Sequence, residues 1–205
     1  MAMLPYDDRD GWIWLDGKLV PWREGKVHFL THGLHYGSGV FEGMRCYGGK
    51  IFKLKEHSLR LLEGCRIMDM KITHSEEEIS AACLETVKAN NLADGYVRPL
   101  AWRGPEQMGV SAQQTKIHFG VAAWLWPNYF SQEMQEKGIA IQTSKWRRPS
   151  PESAPVHAKA SGLYMICTLS KHAAENAGFN DALMLDYRGR VAELTGANFF
   201  MAVKG

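Results

Sequence analysis

Three turn dipeptides constrain the fold of this chain more than any other feature. Asp16-Gly17, Gly48-Gly49 and Arg188-Gly189 each separate two short runs of β character, and such pairs accept the positive φ values that tight hairpin turns demand. Trp12-Ile-Trp-Leu with Lys18-Leu-Val is expected to be a hairpin about a type I′ turn. Val40 to Tyr47 with Lys50-Ile-Phe-Lys-Leu is the second, carrying Phe41, Gly43 and Arg45 on one side, and Ala182-Leu-Met-Leu-Asp with Arg190-Val-Ala-Glu is the third.

Helical signals lie between the hairpins. Leu59, Leu62, Ile67 and Met70 recur at helical intervals over residues 55–70, and Ser75-x-x-Glu78 is a capping box opening a helix to about Asn91. Further strands are expected at residues 26–30, Tyr96-Val-Arg-Pro-Leu-Ala-Trp, residues 116–126 and Ile139-Ala-Ile-Gln-Thr. A helix should run from about Lys159 to Ala177, stopped by Gly178. The class is α+β, with a small N-terminal domain over residues 1–125, a polar linker over 126–138 and a larger domain from 139 to 205. Glycine density in Thr31-His-Gly-Leu-His-Tyr-Gly-Ser-Gly marks tight backbone. Asn198-Phe-Phe-Met-Ala-Val reads as a strand that reaches the end of the chain without a partner.

A net charge of +2, with scattered basic residues, gives no electrostatic case for nucleic acid or a membrane surface. No apolar run approaches the ~20 residues of a membrane span, and the first residues hold no apolar signal core, so the expected location is cytoplasmic. Cys46, Cys65, Cys83 and Cys167 are widely spaced without CxxC, which predicts reduced, buried thiols and no metal site.

Lys159 and Tyr164 stand at the head of the helix predicted to end at Ala177, and Glu193 stands near the end of the third hairpin. Pyridoxal phosphate needs an amine for its aldehyde, a donor for its ring oxygen and an acid that keeps its ring nitrogen protonated, and these three residue types supply them. The same residues also fit a solvated lysine, a core tyrosine and an edge glutamate.

Four segments taken together narrow the choice. His35-Tyr-Gly-Ser-Gly-Val-Phe-Glu-Gly-Met-Arg45, Tyr96-Val-Arg-Pro-Leu100, Ala158-Lys-Ala-Ser-Gly-Leu-Tyr164 and Ala192-Glu-Leu-Thr-Gly-Ala-Asn-Phe199 resemble, in order and across the chain, the branched-chain amino-acid aminotransferases of the class IV, fold-type IV pyridoxal-phosphate enzymes. The resemblance implies two α/β domains, with Lys159 in a Schiff base with the cofactor, Tyr164 on its ring oxygen, Glu193 on its ring nitrogen and Arg60, in His57-Ser-Leu-Arg60, on its phosphate. It implies a side-chain pocket walled by Tyr36, Phe41, Trp126 and Tyr129, with Met108 and Val110 reaching in from the other subunit of a homo-oligomer. Arg98 would receive the distal carboxylate of glutamate. His35 and His57 are given no proton-transfer role, because the lysine can move the proton itself.

The implied reaction is transamination of L-leucine, L-isoleucine or L-valine with 2-oxoglutarate. Within the family the rivals are D-amino-acid aminotransferase and aminodeoxychorismate lyase; outside it, an inactive or structural subunit. Family members continue past Gly205, completing the second domain with backbone amides for the phosphate and the substrate α-carboxylate. The second domain is therefore expected to be incomplete in this chain.

Overall fold

The computed structural model describes residues 5–126 and 131–204. The chain divides into two compact units, Met1–Pro127 with His157–Gly162, and Asn128–Val156 with Leu163–Gly205.

In the first unit, β1 (Trp12–Leu15) and β2 (Lys18–Pro21) form the expected hairpin. Asp16 and Gly17 take φ of 46° and 95°, the positive pair of a type I′ turn. A short helix α1 (His32–Tyr36) precedes β3 (Gly39–Phe41), β4 (Met44–Tyr47) and β5 (Lys50–Ile51). Helices α2 (Leu54–Ile67) and α3 (Glu76–Ala89) follow, then the long strands β6 (Gly95–Arg103) and β7 (Ile117–Trp124). The seven strands make one sheet in the order β2-β1-β7-β6-β4-β5, with β3 also on β6.

The second hairpin is broken where the sequence predicts one strand. Phe41 pairs with Leu100 and Met44 with Val97 in a single register, and the ladder lapses only opposite Arg98 and Pro99. Proline has no N–H to donate, so Glu42 keeps just its own bond to the Pro99 carbonyl, 3.0 Å. The alternation survives, and it sorts the side chains. Val40, Met44, Cys46, Val97, Ala101, Phe119 and Val121 face the helices and pack with Leu61, Cys65, Ile79, Cys83 and Val87 in the core. Each such fully buried apolar side chain contributes about 1.5–3 kcal/mol. Phe41, Arg45, Tyr96, Arg98 and Leu100 fall on the other face.

Both helices are present, and the Ser75–Glu78 capping box is made in both directions. The buried stripe of α2, however, is Ser58, Leu61, Gly64 and Cys65, and Leu59 is exposed. Small residues face the sheet because the helix lies close: a Cβ on Gly64 would come within 2.7 Å of the Val40 side chain. Residues 26–30 form no strand. Local bonds take the place of a ladder there, from Thr31 N–H to the His28 carbonyl and from Leu30 N–H to His28 Nδ1.

In the second unit, α4 (Gln132–Lys137) occupies much of the expected linker, capped by the Ser131 hydroxyl. Strand β8 (Ile141–Arg147) runs through α5 (Met165–Asn176) to β9 (Asp181–Leu185), which lies parallel to it, and β10 (Val191–Leu194) returns antiparallel. A helical crossover is what a parallel pair requires. The third turn closes as expected, with Gly189 at φ 82° and Asp186 Oδ1 accepting from the N–H groups of Arg188 and Arg190. Residues 198–203, predicted as a strand, pair with none of the described residues. Among the described residues no helix is long and apolar enough to cross a membrane.

Candidate active site

Lys159 does not open a helix. Its segment is extended: Ala160 bridges Val40, and the Lys159 carbonyl accepts the Phe41 N–H at 3.1 Å. These bonds put residues 157–162 with the first unit, although the sequence alone groups them with the helix on their C-terminal side. Helix α5 begins only at Met165, after a 3-10 turn over Ser161–Leu163. Glycine makes the close approach possible, since a Cβ on Gly37, itself at φ 67°, would stand 2.9 Å from Gly162 Cα.

Around Phe41 the first unit gathers its chemistry. The ring is buried, with the Lys159 ammonium nitrogen 5.1 Å from its centroid and the Arg98 guanidinium at 4.5 Å. Arg98 Nη2 donates to the Tyr96 hydroxyl at 2.9 Å, yet its Nε is buried with no hydrogen-bond partner among the described residues. An unsatisfied buried donor on a charged group is costly unless something completes it. Gly43 makes room for this arrangement, as any Cβ there would overlap the Tyr96 hydroxyl. A cavity of about 340 Å³ opens beside Arg98 on the same sheet face, lined mainly by apolar groups such as Ile13, Leu15, Leu100 and Trp102, with Thr31 and Ser161 among its polar ones.

The other residues predicted for the pocket are scattered. Trp126 packs at a tilt against Tyr96, with ring centroids 5.5 Å apart, and its carbonyl accepts from Arg45. Tyr36 is half exposed and stacks on buried His32 at 4.5 Å. Met108 and Val110 lie on a surface loop, Val110 being 88% exposed; His32 Nε2 meets the Gly109 carbonyl between them at 2.9 Å. Tyr129 lies outside the described residues.

Arg60 projects from α2 with 55% of its side chain exposed. Its guanidinium grips Glu42, through Nε on Oε1 and through Nη2 on Oε2 at 2.7 Å. Glu42 is fully buried, and His57 Nδ1 reaches the same Oε2 at 2.8 Å. Burial pushes the Glu42 carboxyl up, but the hydrogen bonds and charges of His57 and Arg60 outweigh it and hold the group below the usual carboxylate range. Glu42 is not among the residues the sequence singles out. Its one signal there is a lone acid at an inward position of an alternating run, between Val40 and Met44.

In the second unit Glu193 stands on β10, where Arg148 Nε meets its Oε1 at 3.1 Å. The same guanidinium lies 5.9 Å from the Tyr164 ring centroid and donates to Cys167 Sγ at 3.2 Å. Arg148 is likewise not singled out by the sequence; one arginine in Trp146-Arg-Arg148 has no spacing that distinguishes it. All four cysteines are buried and none forms a disulfide. Burial drives the Cys65 and Cys83 thiols up to about 12, so they are packing groups rather than nucleophiles.

The first unit thus holds an amine against an aromatic ring beside a guanidinium with an unmet buried donor, and the second holds an acid on a guanidinium of its own. Residues 39–205 match the model of the class IV amino-transferases, and the chain belongs to that family. It is 43% identical to the branched-chain-amino-acid aminotransferase of Pseudomonas aeruginosa over 97% of its own length and 66% of that protein. To the probable branched-chain-amino-acid aminotransferase of Rickettsia conorii it is 39% identical, covering 98% of this chain and 68% of the other. Among solved structures, the T.th. branched-chain amino acid aminotransferase with pyridoxamine 5′-phosphate superposes with a TM-score of 0.87 at 39% identity, over 92% of this chain and 63% of that one. The Escherichia coli enzyme gives the same score at 35% identity, over 92% and 64%. The fold is thus that of the fold-type IV aminotransferases, and the chain spans about two thirds of the length of these relatives.

Proposed function

We propose that this protein is a pyridoxal-phosphate-dependent branched-chain amino-acid aminotransferase, exchanging the amino group of L-leucine, L-isoleucine or L-valine with 2-oxoglutarate. One observation carries the choice of substrates: Arg98 lies against Phe41, beside a largely apolar cavity, with its Nε buried and without a hydrogen-bond partner among the described residues. An apolar side chain fits such walls, and a carboxylate completes the arginine. One pocket can therefore serve both substrates of the exchange.

The side chains present suit the cofactor. Lys159 supplies the amine, Arg60 a half-exposed cation for phosphate, Glu193 a carboxylate for the ring nitrogen and Tyr164 a hydroxyl for the ring oxygen. When bound, pyridoxal phosphate supplies a carbonyl that takes up the substrate amine and a ring that accepts the electron pair left at Cα. Lys159 Nζ would take the proton from the substrate Cα as general base and, as general acid, deliver it to the carbon that was the cofactor's carbonyl carbon. Glu193 would keep the ring nitrogen protonated, and Phe41 helps to exclude water. In this reading the exposed Met108–Val110 loop completes the pocket of a neighbouring subunit in a homodimer or larger assembly.

The test is a paired assay of the purified protein with 2-oxoglutarate as acceptor. Turnover of L-leucine well above that of D-alanine is expected, and Lys159→Ala should abolish it. Preference for D-alanine, or formation of pyruvate from aminodeoxychorismate, would move the protein to another branch of the family. No turnover by a protein that takes up no cofactor would make it a structural subunit.

A further inference from the structure

The least ordinary group in the first unit is Glu42. It occupies an inward position of the sheet, flanked by Val40 and Met44, where an apolar residue would be the simple choice. None of its surface is exposed. Taking a carboxylate out of water costs several kcal/mol even after relaxation, and a buried ion pair is often no more stabilising than the apolar residues that would replace it. Stability alone is therefore a poor reason for Glu42.

The geometry gives a better one. Arg60 Nε and Nη2 meet the two carboxylate oxygens as a fork on a fork, which fixes the plane of the guanidinium as well as its position. His57, one helical turn before Arg60 on α2, meets Oε2 through Nδ1, and the Gly43 N–H donates to the same oxygen at 3.3 Å. The carboxylate is thereby held from the strand and from the helix, while more than half of the Arg60 side chain remains in solvent. Exposed arginines ordinarily sample many rotamers, and holding one in place before a ligand arrives removes part of the entropy lost on binding.

We propose that Glu42 is a positioning residue, which presents the Arg60 guanidinium to the phosphate of the cofactor and so sets how tightly that phosphate is held. The proposal rests on the reading of Arg60 as the phosphate ligand. Supporting groups behind a ligand commonly change its affinity by 10–100-fold, and an effect of about tenfold is expected here.

The experiment titrates the cofactor-free protein with pyridoxal 5′-phosphate and with pyridoxal, following absorbance, for wild type, Arg60→Ala, Glu42→Gln and the double variant, with thermal melts to verify folding. Pyridoxal has the same aldehyde and ring and lacks only the phosphate. Glu42→Gln should weaken pyridoxal 5′-phosphate about tenfold and pyridoxal less than twofold, and it should add nothing once Arg60 is gone. Equal losses for both ligands, or none, would overturn the proposal, as would a further loss of phosphate affinity in the Arg60→Ala background. If Arg60→Ala is selective while Glu42→Gln is flat, the proposal alone fails; if Arg60→Ala does not separate the two ligands, the phosphate reading fails and takes the proposal with it. Should Glu42→Gln not fold, Arg60→Lys decides: it keeps the charge and loses the fork, and retention of wild-type phosphate affinity would sink the idea.

Discussion

Each unit of this chain holds one acid against one arginine, but the two pairs are turned in opposite directions. In the first, Glu42 is sealed from solvent and Arg60 reaches out with 55% of its side chain exposed. In the second, Arg148 is the enclosed member at 18%, and Glu193 the open one at 36%. The buried partner in each case orients the exposed one, so the first pair displays a cation and the second an anion. In the function proposed above, the first would serve the phosphate of the cofactor and the second its ring nitrogen. The difference also separates the energetics: loss of the arginine strands a buried charge in the first pair and leaves a partly solvated one in the second.

The largest effect expected from breaking this contrast is chemical. Glu193→Gln removes the displayed anion while keeping shape, and steady-state turnover of L-leucine should fall about 10²–10³-fold, the range typical of losing one electrostatic stabiliser. Normal turnover would exclude the role given to Glu193. Next comes stability. Arg60→Ala leaves Glu42 charged and buried, with His57 and the Gly43 N–H beside it, and should cost about 3 kcal/mol in urea unfolding. Arg148→Ala should cost about 1 kcal/mol, because Glu193 can turn to water. Equal losses in the two variants would mean that the pairs are not built in opposite senses.

A smaller effect belongs to Arg98, which lies against Phe41 in the first unit. Arg98→Ala should raise the KM for 2-oxoglutarate about tenfold more than that for L-leucine, since only the acid completes the guanidinium. A common factor for both substrates would make Arg98 a support of the sheet.

The smallest concerns His118, which stands between Asp16 and Glu106 at 2.6 and 3.2 Å. Burial lowers its pKa, but the hydrogen bonds and charges of the two carboxylates outweigh this and raise it above the ordinary histidine value. A raised pKa means that the protonated clamp stabilises the fold fully below the unfolded value of about 6.5, and that this is lost as pH climbs through the higher folded value. Its contribution is about 1 kcal/mol or less, the pair being partly solvated. His118→Gln should remove that decline from the stability profile measured between pH 6 and 9.

The features legible in the sequence are the local ones. Asp16-Gly17 and the Ser75 capping box depend on residues within one turn, so their chemistry decides their structure without help from the rest of the chain. The phase of α2 departs from the apolar pattern because the helix turns its smallest residues to the sheet, as the approach of Gly64 to Val40 requires, rather than its largest ones. At Lys159 a proline-rich loop gives way to Ala-Lys-Ala, which reads as a helix start, but Ser161 and Gly162 are weak helix formers and Ala160 bridges Val40, 120 residues away in sequence, so the helix begins only at Met165. The partners of Arg60 and Glu193 are out of reach for the same reason. Glu42 and Arg148 acquire their roles only through tertiary contacts, and nothing in the spacing of a strand glutamate or of an arginine after a tryptophan announces them.

The central claim, that Lys159 carries the cofactor, is tested most directly by reducing the pyridoxal-phosphate-loaded protein with borohydride and mapping the modified peptide by mass spectrometry. The account predicts loss of the yellow absorbance near ~420 nm and one phosphopyridoxyl group on Lys159. Modification at another lysine, such as Lys145 or Lys171, or a protein that remains unlabelled, would contradict it.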